Sequence, residues 1–212
     1  MSSANSSCAV FARVHSASPN RYTHICAKTV QKHPTHETIP VSIAVLLYPG
    51  VDGRELLKIS DKIIKNHMDV NFVSYTGNPV PTNTGILIVP TNTPDTPMRK
   101  PDLLLVPGSL LQDAENVRQD QSLLLFLQKL AERSSLICGV STGCLILAAA
   151  GLLTGYHAVP CEGANTIFAA MDVIRSEENI VVDRNRITMT DIKKCTAFLS
   201  TMPLYLQKFA EI

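Results

Sequence analysis

The stretch Ile137-Cys-Gly-Val-Ser-Thr-Gly-Cys-Leu-Ile-Leu-Ala-Ala-Ala-Gly-Leu-Leu153 decides the fold. Residues 135–140 predict a short buried strand, and residues 144–153 predict an almost wholly apolar helix. Between them, Ser141 lies at the centre of a Gly-x-Ser-x-Gly turn, which is typical of a nucleophile elbow. The start of the following helix has unpaired N–H groups and a positive dipole end, so we expect it to stabilise an anion or oxyanion beside Ser141.

Length and composition indicate one globular domain with an appendage. The 212 residues are 45% hydrophobic and 17% charged, which is enough for one sizeable core. A net charge of +1 gives no electrostatic reason to expect nucleic acid or an anionic membrane as a partner. The longest apolar run is about half of what a bilayer requires, so it predicts a core helix.

The cysteine pattern favours a reducing compartment. No Cys-x-x-Cys pair and no zinc-ligand spacing occurs, so we expect neither a metal site nor a disulfide scaffold. We therefore predict a cytoplasmic protein. The six cysteines are Cys8, Cys26, Cys138, Cys144, Cys161 and Cys195.

Residues 1–38 differ in composition from the rest of the chain. Ser, Ala, Asn and His are frequent there, and Glu37 is the first acidic residue. An acid-poor, basic start is typical of organelle transit peptides, but we favour a poorly ordered extension. Four of the six histidines lie in this segment without metal-site spacing. The predicted domain spans residues 39–212.

From residue 39 onward, predicted strands alternate with predicted helices. This alternation predicts right-handed crossovers and an α/β fold whose largely parallel sheet is covered on both faces. The predicted strands are 39–48, 69–76, 86–89, 102–106, 135–140 and 158–159, with a hairpin over 180–187. The predicted helices are 52–67, 119–133, 144–153, 162–171 and 191–211, the last interrupted by Pro203.

Three loops in this pattern follow the carboxyl ends of strands, where reactive groups gather in parallel sheets. The first carries Glu55, the second carries Gly108 and Ser109, and the third is the elbow with Ser141. We therefore expect Glu55 and Ser141 to become neighbours at one edge of the sheet.

Four separated blocks of sequence also resemble one family. They are Tyr48-Pro-Gly followed by Glu55, residues 85–90, residues 101–108 and residues 140–155. In order and spacing they resemble the ThiJ/PfpI superfamily, especially its isonitrile hydratase branch and the related domains of AraC-type regulators. The resemblance implies a class I glutamine-amidotransferase-like, flavodoxin-type three-layer sandwich that forms a homodimer.

The chain departs from this family at the reactive positions. The family's elbow nucleophile is a cysteine, and the matching residue is Ser141; its acidic partner is retained as Glu55. Many members place a histidine after the elbow helix, where this chain has Cys161. The family often has a second glycine where this chain has Ser109.

We favour a small-molecule enzyme of the hydratase, lyase or isomerase/cyclase type, without cofactor or metal. In it Glu55 moves a proton, while Ser141 and backbone N–H groups near Thr142 and Gly108 hold a developing oxyanion on a carbonyl- or isonitrile-like substrate. If Cys161 faces the pocket, it is a second acid/base or a covalent nucleophile. Gly108, Ser109, Thr142 and His157 are the candidate substrate-binding residues.

Two alternatives remain open. In one, the catalytic apparatus has decayed and the domain serves binding, thiol sensing or assembly. In the other, the chain is a serine or cysteine hydrolase. A serine nucleophile needs an adjacent base, the pKa of a carboxylate is too low for that task, and His157 is the only histidine near the elbow in sequence.

Overall fold

A computed structural model describes residues 40–202 in full and the backbone of residues 11–14, 24–26 and 203–210. The extension expected over residues 1–38, including its histidines, lies outside the fully described residues. Two short strands of that segment are described, and they pair beside the main domain.

The strands form one large sheet and two smaller ones. The large sheet has the order β11-β12-β8-β7-β3-β4, and every neighbouring pair in it is parallel except β11 with β12. A second sheet, β2-β1-β6-β5, is antiparallel, and β9 pairs with β10. The bounds are β1 Phe11–Val14, β2 His24–Cys26, β3 Ser42–Leu46, β4 Asp69–Val73, β5 Val80–Pro81, β6 Ile86–Ile88, β7 Leu103–Val106, β8 Leu136–Val140, β9 His157–Ala158, β10 Ile174–Arg175, β11 Ile180–Asp183 and β12 Arg186–Met189.

Six helices are described, and together they cover both faces of the large sheet. Every residue of β3, β7 and β8 is buried, and successive strand residues point to opposite faces. Helix α1 packs against α6, and α4 packs against α2, β7 and β8. The bounds are α1 Gly53–Lys65, α2 Leu111–Val117, α3 Gln121–Glu132, α4 Gly143–Ala149, α5 Asn165–Ala170 and α6 Ile192–Ala210. The predicted α/β fold with a mostly parallel sheet is therefore confirmed.

Helix α1 begins as its sequence predicts. The carboxylate of Asp52 accepts hydrogen bonds from the backbone N–H groups of Arg54 and Glu55, two donors that lack a partner within the helix. Leu56, Ile59 and Ile63 are buried on one face. The cap therefore fixes where the first turn starts and holds Glu55 within it.

Three helices differ from the prediction. Helix α4 ends at residue 149 instead of 153, in a turn that reaches Gly151 at a φ of +72°. Helix α2 was not predicted, because it has only seven residues and the residue before it, Leu110, provides no side-chain cap. The backbone of α6 stays helical through Pro203, so the interruption predicted there is wrong; the helix continues despite the lost N–H donor and the crowding of the carbonyl four residues earlier. Within the described residues, no helix has the length and apolar character needed to cross a membrane.

Candidate active site

Ser141 adopts the strained backbone of a nucleophile elbow. Its φ is +52°, a left-handed conformation that costs a non-glycine residue roughly 1–2 kcal/mol. The Ser141 N–H donates to the carbonyl of Met189 at 2.8 Å, so the elbow is tied to the end of β12. Ser141 itself is half-buried. A costly conformation that is held by neighbouring strands is typical of functional sites.

Gly143 allows the elbow to lie directly on the end of β7. A Cβ atom at this position would lie 2.6 Å from the carbonyl oxygen of Pro107 and closer still to that of Val106. Because both obstacles are backbone atoms, they cannot rotate away. The second glycine of the elbow is therefore required by close packing, and it brings Ser141 next to the loop that follows β7.

Glu55 reaches the same loop from α1. Its Oε2 accepts a hydrogen bond of 2.8 Å from the Gly108 N–H. In return, the Asp52 N–H donates to the Gly108 carbonyl at 2.8 Å. The loops after β3 and β7 thus hold each other through two hydrogen bonds. Within residues 40–202, Oε1 of Glu55 has no hydrogen-bond partner.

Gly108 lies between Glu55 and Ser141. A Cβ atom on Gly108 would lie 3.1 Å from Oε2 of Glu55 and 3.3 Å from the Cβ of Ser141. The Glu55 carboxyl and the Ser141 side chain, which are 86 positions apart in the chain, therefore both lie close to the Cα of Gly108. Any side chain at position 108 would fill the space that separates the carboxyl group from the serine.

Thr142 fastens the loop after β7 to the elbow. Its hydroxyl accepts from the Ser109 N–H at 2.7 Å and donates to the Ser109 carbonyl at 3.0 Å. The side chain of Thr142 is buried. The N–H groups of Gly108 and Ser109 thus already donate to protein oxygens. These bonds hold the loop in place, and they occupy two of the donors that we expected to stabilise an oxyanion.

Burial raises the pKa of Glu55 above its ordinary value. The Gly108 N–H, which stabilises the carboxylate, lowers the pKa but does not offset this effect. The charges of Asp52 and Asp191 also raise it, whereas that of Lys58 lowers it. Glu55 therefore keeps its proton to a higher pH than an exposed glutamate, which suits a general acid.

Cys161 is a buried, neutral thiol. Only 5% of it is exposed, and burial raises its pKa to about 11. Cys144, in the first turn of α4, is also buried, and its pKa is raised to about 12 for the same reason. Because the thiolate is the reactive form, neither thiol is a ready nucleophile at neutral pH. Within the described residues, no hydrogen bond joins Cys161 to Glu55 or Ser141.

His157 lies at the other end of the sheet. Its backbone N–H and its Nδ1 contact the Asp183 carboxylate at 2.8 and 3.2 Å. Asp183 pairs with Arg186, which is in register with Ile137 near the start of β8, whereas Ser141 follows the end of that strand. The structure therefore brings Glu55, Gly108 and Ser141 together and places His157 elsewhere.

Tyr48 was not singled out from the sequence, although it belongs to the site. It is fully buried, and its hydroxyl donates to the carbonyl of Pro107 at 2.6 Å. The available signal is its place at the end of the apolar 39–48 run, directly before a Pro-Gly turn. A phenol in such a run needs a buried acceptor, and the nearest loop backbone provides it.

Elsewhere among the described residues, we find no metal-binding cluster, and the apolar depression beside α1 contains no titratable group. Among residues 40–202, no group of three or more His, Cys, Asp or Glu side chains is placed to hold a metal ion. An apolar depression lies between α1 and β6, lined in part by Leu56, Leu57, Phe72 and Ile86. It includes neither Glu55 nor Ser141, and it offers no titratable group.

Comparison with known proteins shows the family of the chain. The model of the DJ-1/PfpI family matches residues 41–202. The isonitrile hydratase of Pseudomonas putida is 29% identical over 150 residues, which are 70% of this chain and 64% of that protein. The chain thus spans slightly less than two thirds of the length of this curated relative.

Solved structures show the same fold. A ThiJ/PfpI family protein from Pseudomonas syringae superposes with a TM-score of 0.67 at 30% identity, over 81% of this chain and 75% of that chain. DJ-1beta from Drosophila melanogaster superposes with a TM-score of 0.63 at 18% identity, over 76% of this chain and 87% of that chain. At the lower identity, the likeness shows the fold alone.

Proposed function

The chain belongs to the DJ-1/PfpI family, and on that premise we propose that it is a small-molecule enzyme of the hydratase type. In this proposal Glu55 transfers the proton and Ser141 orients the reacting water. The observation that carries it is the placement of the Glu55 carboxyl and the Ser141 side chain next to the same position, Gly108. The isonitrile hydratase relative suggests isonitriles as the substrate class.

The chemistry requires one acid that later acts as a base. The terminal carbon of an isonitrile carries a lone pair, and protonated Glu55 donates its proton there through Oε1. Water then attacks the same carbon, and the Glu55 carboxylate takes a proton from that water. The resulting N-substituted formimidic acid tautomerises to the N-substituted formamide, so that one water is consumed and Glu55 is regenerated.

Ser141 does not act as a nucleophile in these reaction steps. An alcohol requires an adjacent base to become reactive, and His157 is bound to Asp183 instead. Ser141 is half-buried and borders Gly108, as Glu55 does, and this placement is suited to holding the attacking water. The proposed reaction therefore works with a serine at the position where we expect a cysteine in other members of the family.

No observation among the described residues favours the thiol-sensing alternative. Redox-sensing cysteines are accessible and have a lowered pKa, whereas the four cysteines whose side chains are described are all buried: Cys138, Cys144, Cys161 and Cys195. A raised pKa at Cys144 and Cys161 further disfavours oxidation at neutral pH.

The test is hydration of a panel of alkyl and aryl isonitriles by the full chain, with the formamide measured by mass spectrometry. We expect Glu55→Gln to lower kcat/KM by about 100-fold or more and Ser141→Ala to lower it partially. Asp183→Asn, which removes a carboxylate from the other end of the sheet, serves as the matched control and should retain activity.

Thermal unfolding of each variant separates lost chemistry from lost folding. Absence of any formamide with the wild-type chain would overturn the isonitrile substrate class. Wild-type turnover by folded Glu55→Gln would overturn the role of Glu55.

A further inference from the structure

The hydroxyl of Tyr48 and the carboxylate of Glu55 are bonded to the same peptide unit. Tyr48 donates to the Pro107 carbonyl at 2.6 Å, and the Gly108 N–H donates to Oε2 of Glu55 at 2.8 Å. The Pro107 C=O and the Gly108 N–H are the two ends of one planar amide. The chain O–H···O=C–N–H···O is therefore continuous from Tyr48 to Glu55.

Hydrogen bonds in such a chain strengthen one another. A donor at the carbonyl oxygen draws electron density from the amide nitrogen and makes its N–H a better donor. A stronger donor at a carboxyl group favours the ionised form. Tyr48 therefore acts on Glu55 without touching it.

We propose that Tyr48 is a positioning residue that sets the protonation equilibrium of Glu55 through the Pro107–Gly108 peptide. It orients this peptide so that the N–H points at Oε2, and it polarises the amide. The consequence for catalysis rests on the proposed function, because only a reacting Glu55 makes turnover depend on this equilibrium. The effect on the carboxyl group itself does not depend on the reaction.

The surroundings of Tyr48 support a specific role for its hydroxyl. The side chain is completely buried, so a phenylalanine would fill most of its volume and lose only the oxygen. Burial also raises the pKa of the hydroxyl, which keeps it a donor at every pH relevant to the folded protein. Within residues 40–202, the Pro107 carbonyl has no other hydrogen-bond donor.

Other charged or titratable groups lie near Tyr48 and Glu55. They come from the loop before α1, from α1 itself, from α2, from α4 and from the residue before α6. All of these groups are retained in Tyr48→Phe. Those facing Glu55 are Asp52, Lys58, Cys144 and Asp191, and those facing Tyr48 include Asp52 and Asp113.

The experiment is a carboxyl titration of the full chain by 13C NMR with side-chain-labelled glutamate. The Glu55 signal is identified by its loss in Glu55→Gln. In Tyr48→Phe we expect the ratio of protonated to ionised Glu55 at a fixed pH to rise about two- to four-fold, since polarisation by one neighbour amounts to roughly 10–30% of a hydrogen bond to a charged group.

The matched control is Tyr75→Phe, which removes a phenol–carboxylate hydrogen bond of 2.7 Å to Asp120 and should leave Glu55 unchanged. Site-specific 3-fluorotyrosine at position 48 provides a variant with the opposite sign: its more acidic hydroxyl is a stronger donor, so Glu55 should ionise at lower pH. This variant also keeps the test decisive if Tyr48→Phe fails to fold.

A folded Tyr48→Phe protein in which Glu55 titrates as in the wild type overturns the proposal, as does a shift of equal size in Tyr75→Phe. Because the titration requires no substrate, an inactive protein with a shifted Glu55 would contradict the proposed function alone. Where the chain does hydrate isonitriles, the limb of the kcat/KM profile that reports Glu55 should move to higher pH in Tyr48→Phe.

Discussion

Glu55 and Asp183 mark the two ends of the large sheet, and each accepts one backbone hydrogen bond of 2.8 Å, from Gly108 and from His157. The pKa of Glu55 is nevertheless raised, chiefly by burial. The pKa of Asp183 is lowered to about 2, first by the His157 N–H and then by the guanidinium of Arg184. The same backbone bond thus accompanies opposite changes in proton affinity.

The difference lies in what else surrounds each carboxyl group. Asp183 also contacts the Nε of Arg184 through Oδ1 at 3.1 Å and the ring of His157 through Oδ2. Both of its oxygens therefore have a hydrogen-bonding partner. Glu55 has a single N–H donor, and within the described residues it forms no ion pair. Chemistry that needs a carboxyl proton is therefore favoured at the elbow end, whereas the Asp183 end is suited to a fixed negative charge.

The largest effect should come from filling the close contact at the elbow end. Gly143→Ala places a Cβ against two backbone carbonyl oxygens, and we expect it to lower the free energy of unfolding by about 3 kcal/mol or more. Gly155→Ala, near the other end, meets nothing within 4 Å and strains only its φ of +70°, at roughly 1–2 kcal/mol.

Guanidinium unfolding of both variants measures the difference. Equal losses would show that the elbow end is no more tightly packed than the Asp183 end, and the close approach of α4 to β7 would lose its support.

A smaller effect concerns accessibility at the elbow. A thiol introduced as Ser141→Cys should react with iodoacetamide about 100-fold faster than Cys161 at neutral pH. The reason is that an ordinary thiol has a pKa near 8.5, whereas that of Cys161 is raised to about 11. Thr154→Cys, at an exposed residue near the other end, serves as the reference for an open thiol.

Peptide mass spectrometry assigns each rate to its cysteine. If the thiol at position 141 reacts as slowly as Cys161 while that at position 154 reacts quickly, the elbow is closed to small molecules, and the proposed site is wrong.

The elbow and its acid could be predicted because they follow from local pattern and one topological rule. The glycines around Ser141 specify a tight bend, and Asp52 specifies the start of α1. Parallel strands then place their following loops at one edge. These features predicted that Glu55 and Ser141 would meet, and both border Gly108 in the structure.

The remaining contacts depend on long-range register, which periodicity does not specify. His157 follows the elbow by only 16 positions, but the pairing of β12 with β8 places its partner Asp183 at the far end. Likewise, Thr142 bonds Ser109 across 33 positions, and Tyr48 bonds Pro107 across 59. Such pairs are fixed only when the loops are packed together.

The smallest effect tests the comparison of the two carboxyl groups directly, through the pH dependence of stability. Asp183 has a lower pKa in the folded chain than its ordinary 3.8, so its ionised form stabilises the fold above about pH 4, and this contribution disappears as the pH falls toward 2. The ionisation of Glu55 has the opposite effect on the stability of the fold. Its raised pKa leaves the fold unaffected below about pH 4 and destabilises it as the pH rises and the buried carboxyl ionises.

The two isosteric amides should therefore diverge. Relative to the wild type, Asp183→Asn should be less stable at pH 7, and the difference should vanish toward pH 2. Glu55→Gln should gain stability relative to the wild type as the pH rises above 4, since it removes a buried carboxyl group whose ionisation opposes folding. Urea unfolding at intervals of pH provides both curves. If the curves run in the same direction, the two ends do not differ in the way their contacts require, and Glu55 is an ordinary ionised carboxylate rather than a buried acid.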